Sequence, residues 1–560
     1  MLKQALRVAL FLYVTVLCCP VEFFAPEPTV DGSWQLGLNV AADQGLRFGE
    51  DIEWPSGPFA YLDSPMPVGD NLEKALAAQL ALWALAALAL ADLFFVRRLP
   101  LGGLAALAAG VAIGAPLFHF NTQGSDSLLA FTAMTLASSA VTAEKWRGRL
   151  FGAAMAAGLA GAFKVSAAVI GGAGAATAAL LLWRKRDLGP TPLALVAVTG
   201  PCAVVAAYLL HNPSLQGLAN YLGSLRDLSA GYSSAMAFGD SEAQVQAALV
   251  VAALFVAILR HLWSRGQTAA VVATLFLAPL FLTFKHAFVR QDIHMWMFFC
   301  FLSLALGLTL AFTDWRKLDR TLMILALGVI LPINLMMSYL SAVGWTGISY
   351  TKPAAILART LSGAASLKHL GEAWDLQRTR EALLARGRAL HHAEGREIPQ
   401  ALVDRIGDRG VAALSPISGE LFLQGLNVRV LPVVQKYSAY TPSLDAFLAQ
   451  KLDHGYLDLL LFEWDAIDGR HPLIETPLTW AAVWRSFDCV AREGKWALLE
   501  RRTTERFSPG ETATPAVGNM VARIGIPEHQ GPLFASIARK RSAADASSKA
   551  FIVCRRCRCR

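Results

Sequence analysis

Charge is what this 560-residue chain has least of: Asp, Glu, Lys and Arg make up only 16% of it, well below the roughly 25% of ordinary globular domains. Together with 55% apolar residues and a mean hydropathy of +0.43, that shortage excludes a soluble enzyme of this size and an intrinsically disordered chain. Cysteine is also scarce. Cys18, Cys19, Cys202 and Cys300 lie in apolar runs, Cys489 stands alone, and Cys554, Cys557 and Cys559 crowd the end, so no spacing supports a disulfide scaffold. The three terminal cysteines lack a fourth ligand and sit among arginines, which reads as a disordered end rather than a metal site. The folded part has no basic excess either. The formal charge is +8, but residues 539–560 hold eight Lys and Arg against Asp545 and supply seven of those charges, so a nucleic-acid partner is not implied. An internal repeat is missing, which removes the pattern of an inverted-repeat transporter.

Apolar runs of membrane-spanning length are what the chain has instead. Eleven windows stand out, near residues 5–19, 75–95, 100–118, 127–143, 150–163, 166–183, 192–210, 245–262, 268–284, 294–313 and 321–340. The first begins with Lys3 and Arg7 and lacks a small-residue cleavage site, so it reads as an uncleaved anchor. Basic residues concentrate in one set of loops, including Arg97, Arg98, Lys145, Arg149, Lys185, Arg265 and Lys317. By the positive-inside rule these loops are cytoplasmic, which places the N-terminus inside and the region after the eleventh span outside. The same parity requires two helices over residues 150–183, with Lys164 at their outer turn.

The expected fold is therefore an α-helical polytopic membrane protein, with residues 1–345 as the membrane domain and 20–74 as a long first outer loop. Residues 346–398 read as an amphipathic helical connector. Residues 399–503 read as a small extracytoplasmic α/β domain, with strands at 411–414, 421–430, 457–462 and 496–501 and helices at 443–452 and 478–487. Residues 504–560 read as a disordered basic tail.

Candidate chemistry gathers on the outer side. The first outer loop is rich in Asp and Glu. In it Asp31 starts a helix-like stretch with Trp34, Leu38 and Ala41 on one face, a helix that would lie on the membrane surface, with Asp31 either reactive or simply its N-cap. The Gly45–Leu62 stretch carries enough Gly and Pro to be a shaped loop. Asp126 follows the third span and is either a second functional acid or a helix cap. Lys164 is an isolated ammonium that either snorkels or meets an anion. Between Phe284 and His294 stand Lys285, His286, Arg290, Asp292 and His294, a density of cations on the outer side that suits a phosphate. A metal held by His286, Asp292 and His294 is the weaker reading, because the spacing is irregular. The Gln435–Pro442 and Asp468–Pro472 segments are either sugar contacts or ordinary turns, the first capped by Thr441.

Asp31 just after the first span, the surface helix and the Gly57-Pro58-Phe59-Ala60-Tyr61-Leu62 loop, followed by many spans and an outer α/β domain, resemble the GT-C membrane glycosyltransferases, in the branches that use polyprenyl-phosphate sugars. The resemblance covers the layout of residues 1–345. It implies an inverting transferase at the periplasmic face of a bacterial-type inner membrane, with a polyprenyl-phosphate-linked sugar as donor and a lipid, glycan or protein as acceptor. Asp31 would be the general base and Asp126 would assist or orient the acceptor. Lys164, Lys285, His286 and Arg290 would hold the departing phosphate, and Trp34, Tyr61, Asp292 and His294 would contact sugar or acceptor. No cofactor is required on this reading, and no metal ligand is assigned. Many members carry paired acids after the first span, whereas this chain has Asp31-Gly32. A transporter or flippase, and an inert scaffold for the α/β domain, are the competing classes.

Overall fold

The computed structural model describes residues 1–507 except 120–123, 186, 238, 240–241, 292, 318, 346–357, 465–466 and 468–470. Its first part is helical: α1 (Leu2–Leu17), α2 (Val30–Asp43), α3 (Asn71–Ala91), α4 (Leu101–Gly114), α5 (Gly124–Thr142), α6 (Arg147–Phe163), α7 (Val165–Arg184), α8 (Pro190–His211), α9 (Leu215–Met236), α10 (Glu242–Ser264), α11 (Thr268–Leu275), α12 (Leu277–Ala287), α13 (Trp296–Ala311) and α14 (Arg320–Trp345). Every one of the eleven apolar windows falls on helix. Among the described residues, six helical stretches are long and apolar enough to cross a membrane: Asn71–Val96, Leu101–Phe118, Val165–Arg184, Pro190–His211, Glu242–Ser264 and Thr268–Ala287. The fold is therefore that of a helical membrane protein.

Small residues let these helices approach closely, the usual device where lipid offers no hydrophobic drive between them. Where α4 crosses α13, a Cβ on Gly110 would lie 2.6 Å from the Cα of Gly307. The α6–α7 hairpin turns on one extended residue, Lys164 (φ −153°, ψ 125°), as two helices over residues 150–183 require. At the opposite end of the helices Asp92 pairs with Arg149 (2.5 Å) rather than with the nearer Arg97 or Arg98.

The structure adds one helix that no apolar window marks and corrects one sequence expectation. Residues 212–244 hold no apolar window, yet α9 occupies most of them. Ser214 caps it, its hydroxyl accepting the Gly217 amide, and Leu218, Tyr221, Leu225 and Leu228 form a buried stripe. The helix that carries Asp31, α2, does not lie on a membrane surface with a polar face to water. Gly32, Ser33 and the run from Gln35 to Ala41 are all buried, because the outer loop covers one side and the C-terminal domain the other.

The connector forms α15 (Ala364–Ala373) and α16 (Leu376–Glu394). The C-terminal domain follows with α17 (Gln400–Ile406), β1 (Val411–Ala413), α18 (Gly419–Leu423), α19 (Pro442–Asp453), β2 (Leu459–Glu463), α20 (Pro472–Glu475), α21 (Pro477–Ser486), β3 (Phe487–Glu493) and β4 (Trp496–Arg501). Its sheet has the order β1-β2-β4-β3, with β1 parallel to β2 and the other pairs antiparallel. The strand expected over 421–430 is absent. That stretch is the end of α18 and an extended segment touching the sheet only where Val428 bridges Val411. The domain sits on the outer loop: Ser418 and Gly419 amides donate to Ser33 Oγ, Gln435 Nε2 donates to the Val30 carbonyl, and the Glu53 amide donates to the Pro432 carbonyl. The expected tail, apart from residues 504–507, lies outside the described residues.

Candidate functional site

The outer loop and three helix ends meet around two buried carboxylates. Asp63 Oδ1 accepts the backbone amide of Ser125 (2.9 Å), so a residue from the loop caps α5 from outside the helix. Asp126, the next residue of α5, is 2% exposed and accepts the Ser127 hydroxyl (3.0 Å). It is thus in the first turn and not the cap that the sequence allowed. Both acids stand at the positive end of the α5 dipole. Asp63 is 6% exposed, and burial together with the neighbouring charge of Asp126 pushes its carboxyl well above the usual carboxylate range.

Lys164 brings the opposite charge. Its backbone pairs with Ser56, the Gly57 amide donates to the Phe163 carbonyl (2.6 Å) and the Phe59 amide to Ala162 (3.0 Å), which stitches the loop onto the α6–α7 turn. Only glycine fits at position 57, since a Cβ there would lie 2.3 Å from the Ala162 oxygen. The Lys164 side chain is half-buried and lies within electrostatic reach of Asp126 and Asp63. Among the described residues its ammonium forms no hydrogen bond and no ion pair within 4 Å. His286, half-buried near the end of α12, feels the charges of Lys164 and His294. Asp126, Lys164, His286 and His294, which the sequence singled out, thus share one region at one end of the helices with Asp63, which it did not.

Asp31 is exposed on the first turn of α2, with Thr29 as the actual N-cap. Its carboxylate accepts the Trp34 indole (3.0 Å) and faces the Tyr437 hydroxyl of the C-terminal domain. These contacts turn it toward that domain, whereas the carboxylates beside Lys164 are those of Asp63 and Asp126. Trp34 in turn packs against Trp54, ring centroids 5.7 Å apart. Tyr437, buried and pushed well up by that burial, lies beside Tyr440 and Tyr232, the last at the end of α9. Lys285 projects from α12 as an exposed side chain and does not join His286. Arg290 is half-buried in the turn after α12, and Asp292 lies outside the described residues. Tyr61 is half-buried near Lys74 and Asp70 at the start of α3. Thr441 caps α19, accepting the Leu444 amide, as the turn reading of Gln435–Pro442 anticipates.

Sequence reasoning missed Asp63 because nothing in the Gly- and Pro-rich loop marks it; its partner is 62 residues away. It also missed Glu53, 2% exposed, with Oε2 lacking a hydrogen-bond partner among the described residues and a carboxyl pushed up to about 7 by burial. Its place at the seam between loop and C-terminal domain is a tertiary fact. Among the described residues no three His, Cys, Asp or Glu side chains group as a metal site. No protein-family model matches the chain, and no curated protein matches it.

Proposed function

We propose that this chain is a membrane glycosyltransferase that cleaves a polyprenyl-phosphate-linked sugar at the outer face, with eleven spans, a cytoplasmic N-terminus and an outer C-terminal domain. The observation that carries the reading is the grouping of Asp63 and Asp126 with a Lys164 ammonium that, among the described residues, makes no hydrogen bond and no ion pair within 4 Å. An ammonium partly removed from water and held by no direct contact is costly, and an anionic ligand would relieve that cost. A phosphate at the mouth of the bundle is such a ligand. The chemistry also sits at helix ends rather than midway through the spans, where a transporter would place its ionisable groups.

The reaction needs little else. The acceptor oxygen attacks the anomeric carbon, the bond from that carbon to the phosphate oxygen breaks, and the acceptor proton passes to a carboxylate, giving inversion in a single displacement. Lys164 neutralises the departing phosphate, and His286 supplies a further donor. Burial raises both carboxyls, and the Lys164 charge opposes that rise at Asp126, which is therefore assigned as the base. This assignment departs from the resemblance, which gives that role to Asp31. Asp31 instead meets the acceptor beside the C-terminal domain. The sugar is already activated by its lipid phosphate, so the mechanism needs no cofactor.

The test is purified protein in nanodiscs, incubated with a panel of polyprenyl-phosphate sugars and candidate acceptors. Release of free polyprenyl phosphate with transfer of the sugar is the expected result. Movement of the intact donor between leaflets without cleavage would establish a flippase, and neither activity with any donor would leave a scaffold.

A further inference from the structure

The outer end of α1 stops short. With 16 residues α1 is about 24 Å long, less than the ~30 Å of a bilayer's hydrocarbon core. Its neighbour α3 supplies the scale. The Trp83 indole donates to the Thr15 carbonyl (2.7 Å), so these residues are level. Trp83 lies nine residues below Lys74, the last charged residue at the outer end of α3, which is about 13 Å along the axis. Leu17 therefore ends about 10 Å beneath the level of Lys74, leaving a notch in the outer leaflet above α1.

Residues 360–366 of the connector fill this notch. The Tyr13 hydroxyl donates to the Leu361 carbonyl (2.7 Å), and Thr360, fully buried, bonds the Tyr339 hydroxyl about 9 Å below the end of α14. Gly363, with φ 73°, presses against Val16, and the Ser366 hydroxyl meets His119 at the outer end of the α4 span (3.1 Å). The connector then climbs. By Arg380 it has reached Glu73, beside Lys74, in a 2.9 Å ion pair. One face of α15, with Ser366, Leu370 and Ala373, packs inward. On the outer side, Leu367 is 57% exposed and Trp374, seven residues on, is 93% exposed. The neighbouring α1 and α3 also expose apolar side chains, Leu12 and Leu80.

We infer that residues 358–374 form a re-entrant segment embedded in the outer leaflet, and that the partner of Leu367 and Trp374 is the phospholipid bilayer at the boundary of acyl chains and headgroups. Aromatic and leucine side chains on the outward face of a helix at that depth gain the burial they lack in the protein, and an indole suits the boundary because one edge is polar. The interfacial helix of this chain is thus the connector, not α2. It pins the start of the outer domain to the membrane, independently of what the site catalyses.

The test uses the full chain in nanodiscs with the exposed Cys202 and Cys489, and also Cys554, Cys557 and Cys559, replaced by serine, and a nitroxide placed by Leu367→Cys, Trp374→Cys or, for control, Gln377→Cys. Collision with dissolved oxygen is expected to exceed collision with a water-soluble nickel chelate at 367 and 374, and the ratio is expected to invert at 377. Nickel-dominated collision at 367 or 374 overturns the proposal, and oxygen-dominated collision at all three overturns the boundary drawn at Trp374. A label-free check guards against a disturbed fold. Lipids brominated near the glycerol should quench wild-type tryptophan fluorescence by a larger fraction than that of Trp374→Phe, and equal quenching counts against embedding.

Discussion

Three ionisable side chains carry most of what is unusual here, and each is unusual because of where burial puts it. Lys164 was visible in the sequence as a lone cation between two apolar stretches, and Asp126 as a lone acid at a span's outer end; Asp63 was invisible, since only the fold brings it to the α5 terminus. Replacing Lys164 with Met removes the cation that faces Asp126 and Asp63, so the variant should lose affinity for polyprenyl phosphate while keeping its fold. Unchanged binding in a titration of the lipid phosphate would separate Lys164 from the ligand. Glu53 makes a prediction about pH. Its carboxyl is raised to about 7 in the folded chain against about 4.5 unfolded. The unfolded state therefore ionises first, and the stability the group contributes is complete below pH ~4.5 and lost as pH rises toward 7. Integrated over that window the loss is about 3 kcal/mol. Glu53→Gln should flatten the fall in apparent Tm between those pH values, and an unchanged slope would mean that Glu53 does not titrate in this range.

At the scale of elements, long apolar runs were legible and amphipathic pieces were not. The eleven windows fall on helix, and six helical stretches are long and apolar enough to cross a membrane, where a helix satisfies its own backbone polar groups. The stripe of α9 has a helical period and a Ser214 cap, but its polar residues resemble a loop when weighed by hydropathy alone. The 421–430 stretch is apolar enough for a strand, yet α18 and an isolated bridge take it, because strand identity depends on a partner chosen by the whole domain. The α6–α7 turn was deduced from charge parity, and its clamp, the 56–59 segment, has a direct test. Gly57→Ala would force its Cβ against the Ala162 oxygen and should destabilise the contact by about 1–3 kcal/mol. Hydrogen exchange should then accelerate at the Gly57-position and Phe59 amides, which are bonded to the hairpin. Protection equal to wild type would show that the clamp tolerates the extra carbon.

For the whole molecule, the outer domain is part of the membrane domain's fold and not an appendage. Ser33, Val30 and Glu53 of the first loop bond to it, and Leu228 of α9 lies in its core. Stopping the chain at Glu394 should uncover α2 and make the 20–74 loop sensitive to protease in intact nanodiscs, whereas a resistant loop would mean that it folds without the domain. The sequence revealed that a small C-terminal α/β domain exists but not that it covers the helix of residues 30–43, since no local pattern encodes a contact across about 400 residues. The central claim is that Asp126, grouped with Asp63 and Lys164, is the chemical centre, and that Asp31 serves the acceptor. It is tested most directly by the initial rate of polyprenyl-phosphate release from a lipid-linked sugar by wild type, Asp126→Asn and Asp31→Asn, each at saturating donor and across a range of acceptor concentrations. The account predicts that Asp126→Asn abolishes release at every acceptor concentration, while Asp31→Asn raises the acceptor KM and leaves kcat within a few-fold of wild type. Full activity in Asp126→Asn, with release abolished in Asp31→Asn, would contradict it.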